Sequence, residues 1–440
     1  MASIAPIRLT RDRATWLIYL QLGVFATYLY GLSAALPMLR ADLGVSQTAA
    51  GLHGTAMAIG GILTGLALPR LTRRIGRRAT TWTGLTGMSA GVLLVFSGDA
   101  LPITLLGYGI AGGMGSVSLY TGMSVLSDHH GPAGPAAISE ANAVGVSVGL
   151  GAPFVVSLAA QSVLGWRAAL LVTPALTVLL ALVLGRVWIP ERGKAERGKT
   201  APGETGHGRR GDTGDGGTER EDTGQENTGH GVAGHGKAER GDIGTRTAQG
   251  NGKGAGSGLG RRFHLAGAVL FCCVALEFSF NLWAAKLVAD QTGLSAAVAA
   301  TALTAFTAGL AIGRFGGARL ALRVPPAPLL VGALALTAAG WALFWVSTDP
   351  VPSYAGLVLS GIGVSLHFPL ALSLVLTAAS ARPERAAAAA SLFAGAAVGA
   401  GPFLLGALAD SFGTQQAFLM VPALIGLAVG GILVSSRWRT

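Results

Sequence analysis

Glu277 is an acidic side chain deep inside a long apolar segment of this sequence. It lies twelve residues into the run from about Leu265 to Ala289, roughly 18 Å along a helix and near the middle of a bilayer. A carboxyl group in hydrocarbon is costly and is rarely kept there without a function. Asn281 follows one turn later on the same face and can offer an amide hydrogen bond. The position predicts a proton-coupling group; the alternative is a structural carboxyl group bonded to a neighbouring helix.

Two further proton-binding side chains are associated with apolar runs. His367 is followed two residues later by Pro369, which removes a backbone hydrogen bond, and broken helices near the midplane border the solute sites of transporters. Packing against a neighbouring helix is the alternative for this histidine. Glu140 follows Ser139 at the start of its run, where a carboxylate stabilises a helix end; deeper insertion would make it a proton-binding group. Both residues are candidates after Glu277.

These three side chains lie in three of the twelve apolar runs of the sequence. Charged residues make up 12% of the chain, apolar residues 51%, and mean hydropathy is +0.54, whereas roughly a quarter of a soluble protein is charged. Each run is long enough for a span of about 20 residues, so the sequence predicts an all-α integral membrane protein with two six-helix halves. The runs fall at about Trp16–Pro37, Ala49–Pro69, Ala79–Phe96, Leu101–Leu126, Ile138–Gln161, Arg167–Ile189, Leu265–Ala289, Ser295–Gly313, Ala327–Val346, Ser353–Leu376, Ala386–Leu408 and Gln416–Val434.

A polar segment, residues 191–262, separates the two halves, residues 1–190 and 263–440. It is crowded with Gly, Thr, His and charged residues, and it repeats the word GKAERG. Such a composition cannot bury enough apolar surface to offset the entropy of ordering, which predicts a disordered linker. Gly193–Thr200 matches the phosphate-loop pattern GxxxxGK[ST], but no strand or helix flanks it, so we interpret the match as chance.

Basic residues of the short loops fall mostly on one side of the predicted membrane. The loop after span 2, PRLTRRIGRR, carries five arginines, and we place Arg314 on the same inner side at the end of span 8. The positive-inside rule then puts both termini and the linker in the cytoplasm of a plasma-membrane protein. The net charge of +11 therefore reflects topology and predicts no nucleic-acid partner. The first run is too long for a signal peptide and is predicted to be an uncleaved span.

The two halves repeat each other in sequence. GAPFVVSLAAQSVLGWRAALLVTPAL, residues 151–176, aligns with AGPFLLGALADSFGTQQAFLMVPAL, residues 400–424, with one gap. The alignment pairs Pro153 with Pro402 and Gly165 with Gly413. Two six-span repeats that face one axis form a solute site between them in alternating-access transporters.

With these features the chain resembles the major facilitator superfamily over nearly all of both halves. The loop after span 2 is similar to the family pattern G-x-L-A-D-R-x-G-R-R, although Pro69 and Arg73 replace its first Gly and its Asp. Gly109 stands where the family's fourth span usually has an Arg. The resemblance implies a gating loop in which the matching residues are Leu71, Arg74, Gly76, Arg77 and Arg78.

The same resemblance implies that spans 1, 4, 7 and 10 line a central cavity. It therefore adds Tyr28, Tyr108 and Tyr120 to Asn281 as predicted substrate-binding residues, beside the proton-coupling candidates. Spans 5 and 11 partly match the Gly-Pro pattern of drug–proton antiporters, which favours export.

These features together predict a secondary active transporter that moves a small organic solute by alternating access with protons as the coupling ion. The lipid bilayer is the other predicted partner, and the protein is predicted to be a monomer without cofactor or metal. The sequence has no nucleophile, base and metal-ligand set that indicates an enzyme, and no ATP-binding domain. A non-transporting membrane sensor or scaffold on the same fold, and an uncoupled facilitator, are the alternatives.

Overall fold

The computed structural model describes residues 10–187, 260–321, 323–378 and 383–437. Every regular element among these residues is a helix, and ten of the helices are long and apolar enough to cross a membrane. Almost all of the predicted linker, including the Gly193–Thr200 match, lies outside the described residues. The predicted domain boundaries around it therefore stay a prediction.

The described helices make twelve spans. One of the ten contains two spans, and one further helix, Leu101–His130, is long enough to be counted with them. The helix Gln47–Ser97 has 51 residues and is broken at Gly76, whose φ is 80°, a conformation strained for residues with a Cβ atom. Its two arms are spans 2 and 3. The helix Leu101–His130 has 30 residues, enough to cross a bilayer, although its six glycines lower its hydropathy. The predicted all-α architecture with twelve spans is confirmed.

The spans are numbered along the chain, and each lies close to its predicted run. In the first half they are Arg13–Leu43 (span 1), the two arms of Gln47–Ser97 (spans 2 and 3), Leu101–His130 (span 4), Gly134–Gly149 with Ala152–Ala160 (span 5), and Trp166–Leu171 with Val172–Leu184 (span 6). In the second half they are Arg261–Thr292 (span 7), Ala296–Ala299 with Ala302–Ala321 (span 8), Pro326–Val346 (span 9), Pro350–Val364 with His367–Ala378 (span 10), Pro383–Phe412 (span 11), and Thr414–Ala417 with Met420–Arg437 (span 12). We call the side where span 1 begins and span 12 ends the terminal side, and the other the distal side.

The internal repeat extends to backbone conformation. Gly165 and Gly413, aligned by sequence, precede spans 6 and 12 with φ values of 71° and 85°. Gly44 and Gly293 likewise end spans 1 and 7, with φ values of 61° and 70°. Each of these two is followed two residues later by a serine whose side chain caps the next helix. Equivalent turns in both halves are what a duplicated six-span unit requires.

Spans 8 and 10 touch through their backbones. A Cβ atom on Gly309 would collide with the carbonyl oxygen of Val358, and one on Gly361 with that of Phe306. Small residues let helices approach in this way, and close packing drives helix association in lipid. The second half is therefore held together at a contact that tolerates no side chain.

We expect Gly309→Leu to destabilise the protein strongly, because overpacking a tight contact costs about 1–3 kcal/mol or more. Gly316→Leu in the same helix is the matched control, since nothing lies within 4 Å of a Cβ there. The measurement is the melting temperature of detergent-purified protein, with size-exclusion chromatography as a check on folding. Equal melting temperatures for the two variants would contradict this packing.

Candidate functional site

Glu277 and Arg314 form a charge pair inside the second half. The Arg314 guanidinium lies 4.0 Å from the Glu277 carboxylate, and the side chains are 31% and 17% exposed, so protein does not fully enclose the pair. Arg314 lies within the candidate span Ala296–Gly317, three residues from its end. The sequence predicts that span 8 ends at Gly313, just before Arg314, but the helix continues to Ala321 and the Arg314 side chain reaches Glu277 of span 7.

Tyr30 approaches this pair from the first half. Its side chain is buried and interacts electrostatically with both Arg314 and Glu277. The ring also lies against span 5, where a Cβ on Gly149 would come 2.7 Å from Tyr30 Cδ2. Spans 1, 5, 7 and 8 therefore meet at one place, between the two halves.

Asn281 contributes an acceptor one turn from Glu277. Its amide Nδ2 donates to the backbone carbonyl of Glu277 at 3.0 Å, not to the carboxylate, so the predicted side-chain bond does not form. The residue is 3% exposed, and its Oδ1 has no hydrogen-bond partner among the described residues. A buried acceptor without a partner is costly, so this oxygen has an unused hydrogen-bonding position one turn from Glu277.

Tyr28 and Tyr108 pack inside the first half. Tyr28 is two residues from Tyr30, a turn of about 200° around the helix, and its hydroxyl contacts Met57 Sδ at 3.6 Å. The Tyr108 hydroxyl donates to the Leu32 carbonyl at 2.9 Å. Both are buried, and these contacts join spans 1, 2 and 4.

Tyr120 lies in span 4 and is 50% exposed. It follows Tyr108 by twelve residues, or about 18 Å of helix rise, toward the terminal side. The structure therefore does not bring the three predicted substrate tyrosines together in one place.

His367 follows a break in span 10. The helix is interrupted at Ser365 and Leu366, as Pro369 predicts. His367 is fully buried, and its Nε2 lies 3.2 Å from the Thr337 hydroxyl on span 9. Its Nδ1 has no hydrogen-bond partner among the described residues. The side chain thus lies between spans 9 and 10.

Glu140 is held at the terminal end of span 5. Arg11 donates two hydrogen bonds to its carboxylate, of 2.9 and 2.7 Å, and the Tyr19 hydroxyl donates a third of 3.0 Å. Nearby, Asp12 caps span 1 and faces His129 at 2.7 Å. Burial raises the pKa of Asp12, but hydrogen bonds from neighbouring side chains outweigh it, and that pKa is lowered. This ion-paired cluster joins the N-terminal segment to spans 1, 4 and 5.

The predicted gating loop is attached to the first half at Arg77. Gly76 breaks the helix with its positive φ, which lets the next residue turn inward. Arg77 is buried and pairs with Asp128 at the terminal end of span 4. This partner carboxylate was not identified from the sequence, although Asp128 stands at the end of a predicted span.

The remaining loop residues lie at the surface or near it. Arg78 donates to the Gly185 carbonyl at 2.6 Å, which joins the loop to span 6. Leu71 is half-buried, and Arg74 is exposed. The described loop is thereby bonded to spans 4 and 6.

Spans 2 and 11 hold the two halves together on the distal side. The Asp410 carboxylate accepts hydrogen bonds from the backbone N–H groups of Gln47 and Thr48, at 2.8 and 2.7 Å, and from the Thr48 hydroxyl at 2.6 Å. A carboxylate at the first N–H groups of a helix is a stabilising cap. Further along, Thr55 donates to the Gly399 carbonyl at 2.9 Å. A cap supplied by the opposite half must break whenever the distal side opens.

Sequence reasoning predicted Glu277 and Asn281 at this place but did not predict Tyr30 or Arg314 as their neighbours. A signal for Arg314 was present, because Phe315 and the small residues 316–318 that follow it have no turn residue such as proline and can continue the helix, which ends at Ala321. Tyr30 had none, since the polar residues Gln21, Thr27 and Ser33 of span 1 are spread around the helix and mark no single face. Between the halves the structure gathers a carboxyl group, a guanidinium, a phenol and an amide oxygen, a set that can bind a polar solute. The described residues include no group of three or more His, Cys, Asp or Glu placed to hold a metal ion.

Comparisons with known proteins agree with this architecture. The sequence profile of the Major Facilitator Superfamily matches residues 18–241 and 266–439, and a search of curated protein sequences finds no significant match. The fold is similar to that of a bacterial homolog of the human lysosomal transporter Spinster, in an inward-facing and occupied conformation, with TM-score 0.69 and 13% identity over 98% of both chains.

Two further solved structures share the fold at low identity. A mutant of the nucleoside transporter NupG has TM-score 0.68 and 11% identity, over 96% of this chain and 98% of that one. The E. coli fucose:proton symporter FucP has TM-score 0.56 and 17% identity, over 97% and 98%. The profile covers most of both halves, and the twelve spans form the same arrangement. The chain therefore belongs to the Major Facilitator Superfamily and is a membrane transporter that works by alternating access.

Proposed function

We propose that this protein is a secondary active transporter of a small organic solute, coupled to protons through Glu277. The observation that carries the proposal is the Glu277–Arg314 pair at 4.0 Å, with Tyr30 beside it. It is an ionisable pair inside membrane spans, at the place where the two halves meet. Intramembrane ionisable residues in such positions mark ion and proton pathways.

Alternation between two states can change the proton affinity of this carboxyl group. Desolvation favours the protonated form of a carboxyl group, whereas a nearby guanidinium favours the carboxylate. Rocking of the halves moves Tyr30 of span 1 relative to Glu277 of span 7 and changes the access of water to the pair. A group whose proton affinity differs between two states links the transport cycle to protons. Fucose:proton symport by the similarly folded FucP supports proton coupling on this architecture.

Other predicted residues take secondary places in this proposal. Asn281 stays a substrate-binding candidate through its free Oδ1, and Tyr30 takes precedence over Tyr28. His367 and Glu140 rank after Glu277 as proton-coupling candidates, since each already has polar partners away from the central pair. The positive-inside rule predicts cytoplasmic termini, and we propose that the protein is a monomer in the plasma membrane. Export remains the direction that the partial Gly-Pro match predicts.

Glu277→Gln is expected to lower the rate of solute flux driven by a pH gradient about tenfold or more. Solute exchange at equal pH should continue. The amide keeps the shape of the side chain but binds no proton at neutral pH. The measurement is flux of a solute panel of sugars, organic acids, nucleosides and amines into proteoliposomes with an imposed pH gradient. Asp99→Asn is the control, because that carboxylate is 92% exposed in the loop between spans 3 and 4.

The alternatives give different results in the same assay. Wild-type flux that ignores the imposed pH gradient would indicate an uncoupled facilitator. Ligand binding without any flux would indicate a sensor or scaffold. A pH-driven flux of equal size in wild type and Glu277→Gln would move the coupling site away from Glu277.

A further inference from the structure

The Arg314 guanidinium makes few polar contacts with the described residues. A guanidinium has five N–H donors and stays protonated in proteins. Among the described residues its one ion-pair contact is Glu277, at 4.0 Å, which is longer than a hydrogen bond. The side chain is 31% exposed and close enough to Tyr30 of the first half to interact with it electrostatically, so it lies at the boundary between the halves and is not fully enclosed. A guanidinium so placed can bind the carboxylate of a ligand through two parallel hydrogen bonds.

The charge of the pair limits which solutes the site accepts. Since Arg314 is always charged, the pair is neutral when Glu277 is ionised and carries +1 when Glu277 is protonated. It is never negative, so a cationic solute finds no net attraction at this place. A protonated Glu277, in contrast, leaves an uncompensated cation in a membrane span, which is costly unless an anion accompanies it.

We propose, building on the function proposed above, that the transported solute is an organic anion whose carboxylate binds Arg314 when Glu277 carries a proton. The proton converts the Glu277 carboxylate to a neutral acid and frees the guanidinium. The solute's carboxylate then takes its place opposite Arg314. Asn281 Oδ1, buried and without a partner, accepts a hydrogen bond from a hydroxyl or amino group of the same solute.

Charge balance makes the two binding events depend on each other. The empty site, with Arg314 and an ionised Glu277, is neutral. The site with one proton and one monoanion is neutral as well. A site with only the proton carries +1, and one with only the anion carries −1, and a net charge is unfavourable in a low-dielectric interior. The two neutral forms are the ones that cross between states, which couples one proton to one anion.

This coupling has a direction. Proton and anion move the same way, so an inward proton gradient drives uptake of the anion. That outcome is opposite to the export that the partial Gly-Pro match of spans 5 and 11 predicts. Flux measured in both orientations of the gradient distinguishes the two.

The experiment uses matched solutes that differ in charge. Glucuronate is compared with glucose, and lactate with lactamide, by thermal shift of the purified full-length protein at pH 6 and pH 8. Flux into proteoliposomes follows, with protein-free liposomes as the blank for passive entry of the weak acids. The variants are Glu277→Gln, which mimics the protonated acid, Arg314→Gln and Arg314→Lys. Arg323→Gln, an exposed arginine at the end of span 8, is the control.

We expect the wild type to bind a carboxylate about tenfold more tightly at pH 6 than at pH 8, because binding requires a proton on Glu277. A tenfold change in affinity corresponds to a shift of one unit in the pKa of the group that takes up the proton. Glu277→Gln should bind it equally at both pH values, and Arg314→Gln should lose it. Arg314→Lys should retain part of the binding, and Arg323→Gln all of it. If Arg314→Gln does not fold, the double variant E277Q/R314Q removes both charges together and tests the same loss.

Each contrary result has a distinct meaning. Binding of glucose or lactamide as tight as that of its anion, no response to either carboxylate, or binding unchanged in Arg314→Gln would overturn the anion site. If the neutral solute also shows a pH response that Glu277→Gln removes, proton coupling at Glu277 stands and only the substrate class is wrong. A carboxylate whose pH response persists in Glu277→Gln would reject coupling through that residue and, with it, the proposed exchange at Arg314.

Discussion

Gly51→Leu is expected to abolish transport while leaving both halves folded. Gly51 in span 2 faces span 11 of the other half, and a Cβ there would lie 2.9 Å from both Phe403 Cα and the Pro402 carbonyl oxygen. These are backbone atoms, which cannot move aside as the end of a flexible side chain can. A leucine side chain therefore acts as a wedge between the halves and prevents closure on the distal side.

The expected effect is large because alternating access requires both states. An overpacked contact costs about 1–3 kcal/mol, enough to change the ratio of two conformations by roughly fivefold to more than a hundredfold. The hydrogen bonds of Asp410 to Gln47 and Thr48 lie beside the wedge and would separate with it. The distal side should thus stay open, and the cycle should stop there.

Gly65→Leu is the matched control for this prediction, since it lies in the same span with nothing within 4 Å of a Cβ. Solute exchange in proteoliposomes gives the activity of both variants. Spin labels at the exposed positions Ala41 and Ser411 report the distal distance between the halves. Wild-type exchange by Gly51→Leu, or an unchanged label distance, would show that this contact does not gate the distal side.

The architecture was predictable from the sequence because it depends on local properties. The length of each apolar run, the position of glycines and prolines, and the repeat that pairs Gly165 with Gly413 determine twelve spans in two halves. The depth of Glu277 follows from the same count, since helix rise per residue is constant. None of these inferences requires knowledge of which helices are neighbours.

The composition of the site was less predictable because it depends on helix rotation. Tyr28 and Tyr30 are two residues apart in an apolar helix, and only packing against Met57 and Gly149 decides that Tyr30 faces the second half. In a soluble helix a polar face would indicate this rotation, but a span surrounded by lipid or protein lacks one. The partner of Glu277 was missed for a related reason, because Arg314 is distant in sequence and stands near the end of its own span.

The gating loop shows how a charge contact can persist when family charges are replaced. The loop has Arg73 where the family pattern has an acidic residue, and span 4 has Gly109 where it usually has an Arg. The structure nevertheless pairs Arg77 of the loop with Asp128 at the end of span 4. This pair keeps the loop bonded to span 4 through charge.

Asp128→Ala is therefore expected to destabilise the first half by about 2 kcal/mol. Removal of one partner of a buried ion pair costs about 3–5 kcal/mol because the other charge is left uncompensated. The Arg77 side chain is 6% exposed but that of Asp128 is 43% exposed, so solvent screening reduces the figure. The measurement is the free energy of unfolding or, where unfolding is irreversible, the melting temperature in detergent.

Asp99→Ala is the control for Asp128→Ala, because the Asp99 side chain is 92% exposed and lies 3.6 Å from Arg167, a type of pair that contributes little. The double variant R77Q/D128A removes the stranded charge and should regain part of the lost stability. Equal melting temperatures for D128A and Asp99→Ala would show that the Arg77 pair does not stabilise the loop. A double variant less stable than D128A alone would show that Arg77 acts through its other contacts, and the loop would then be held at span 4 by packing instead of by charge.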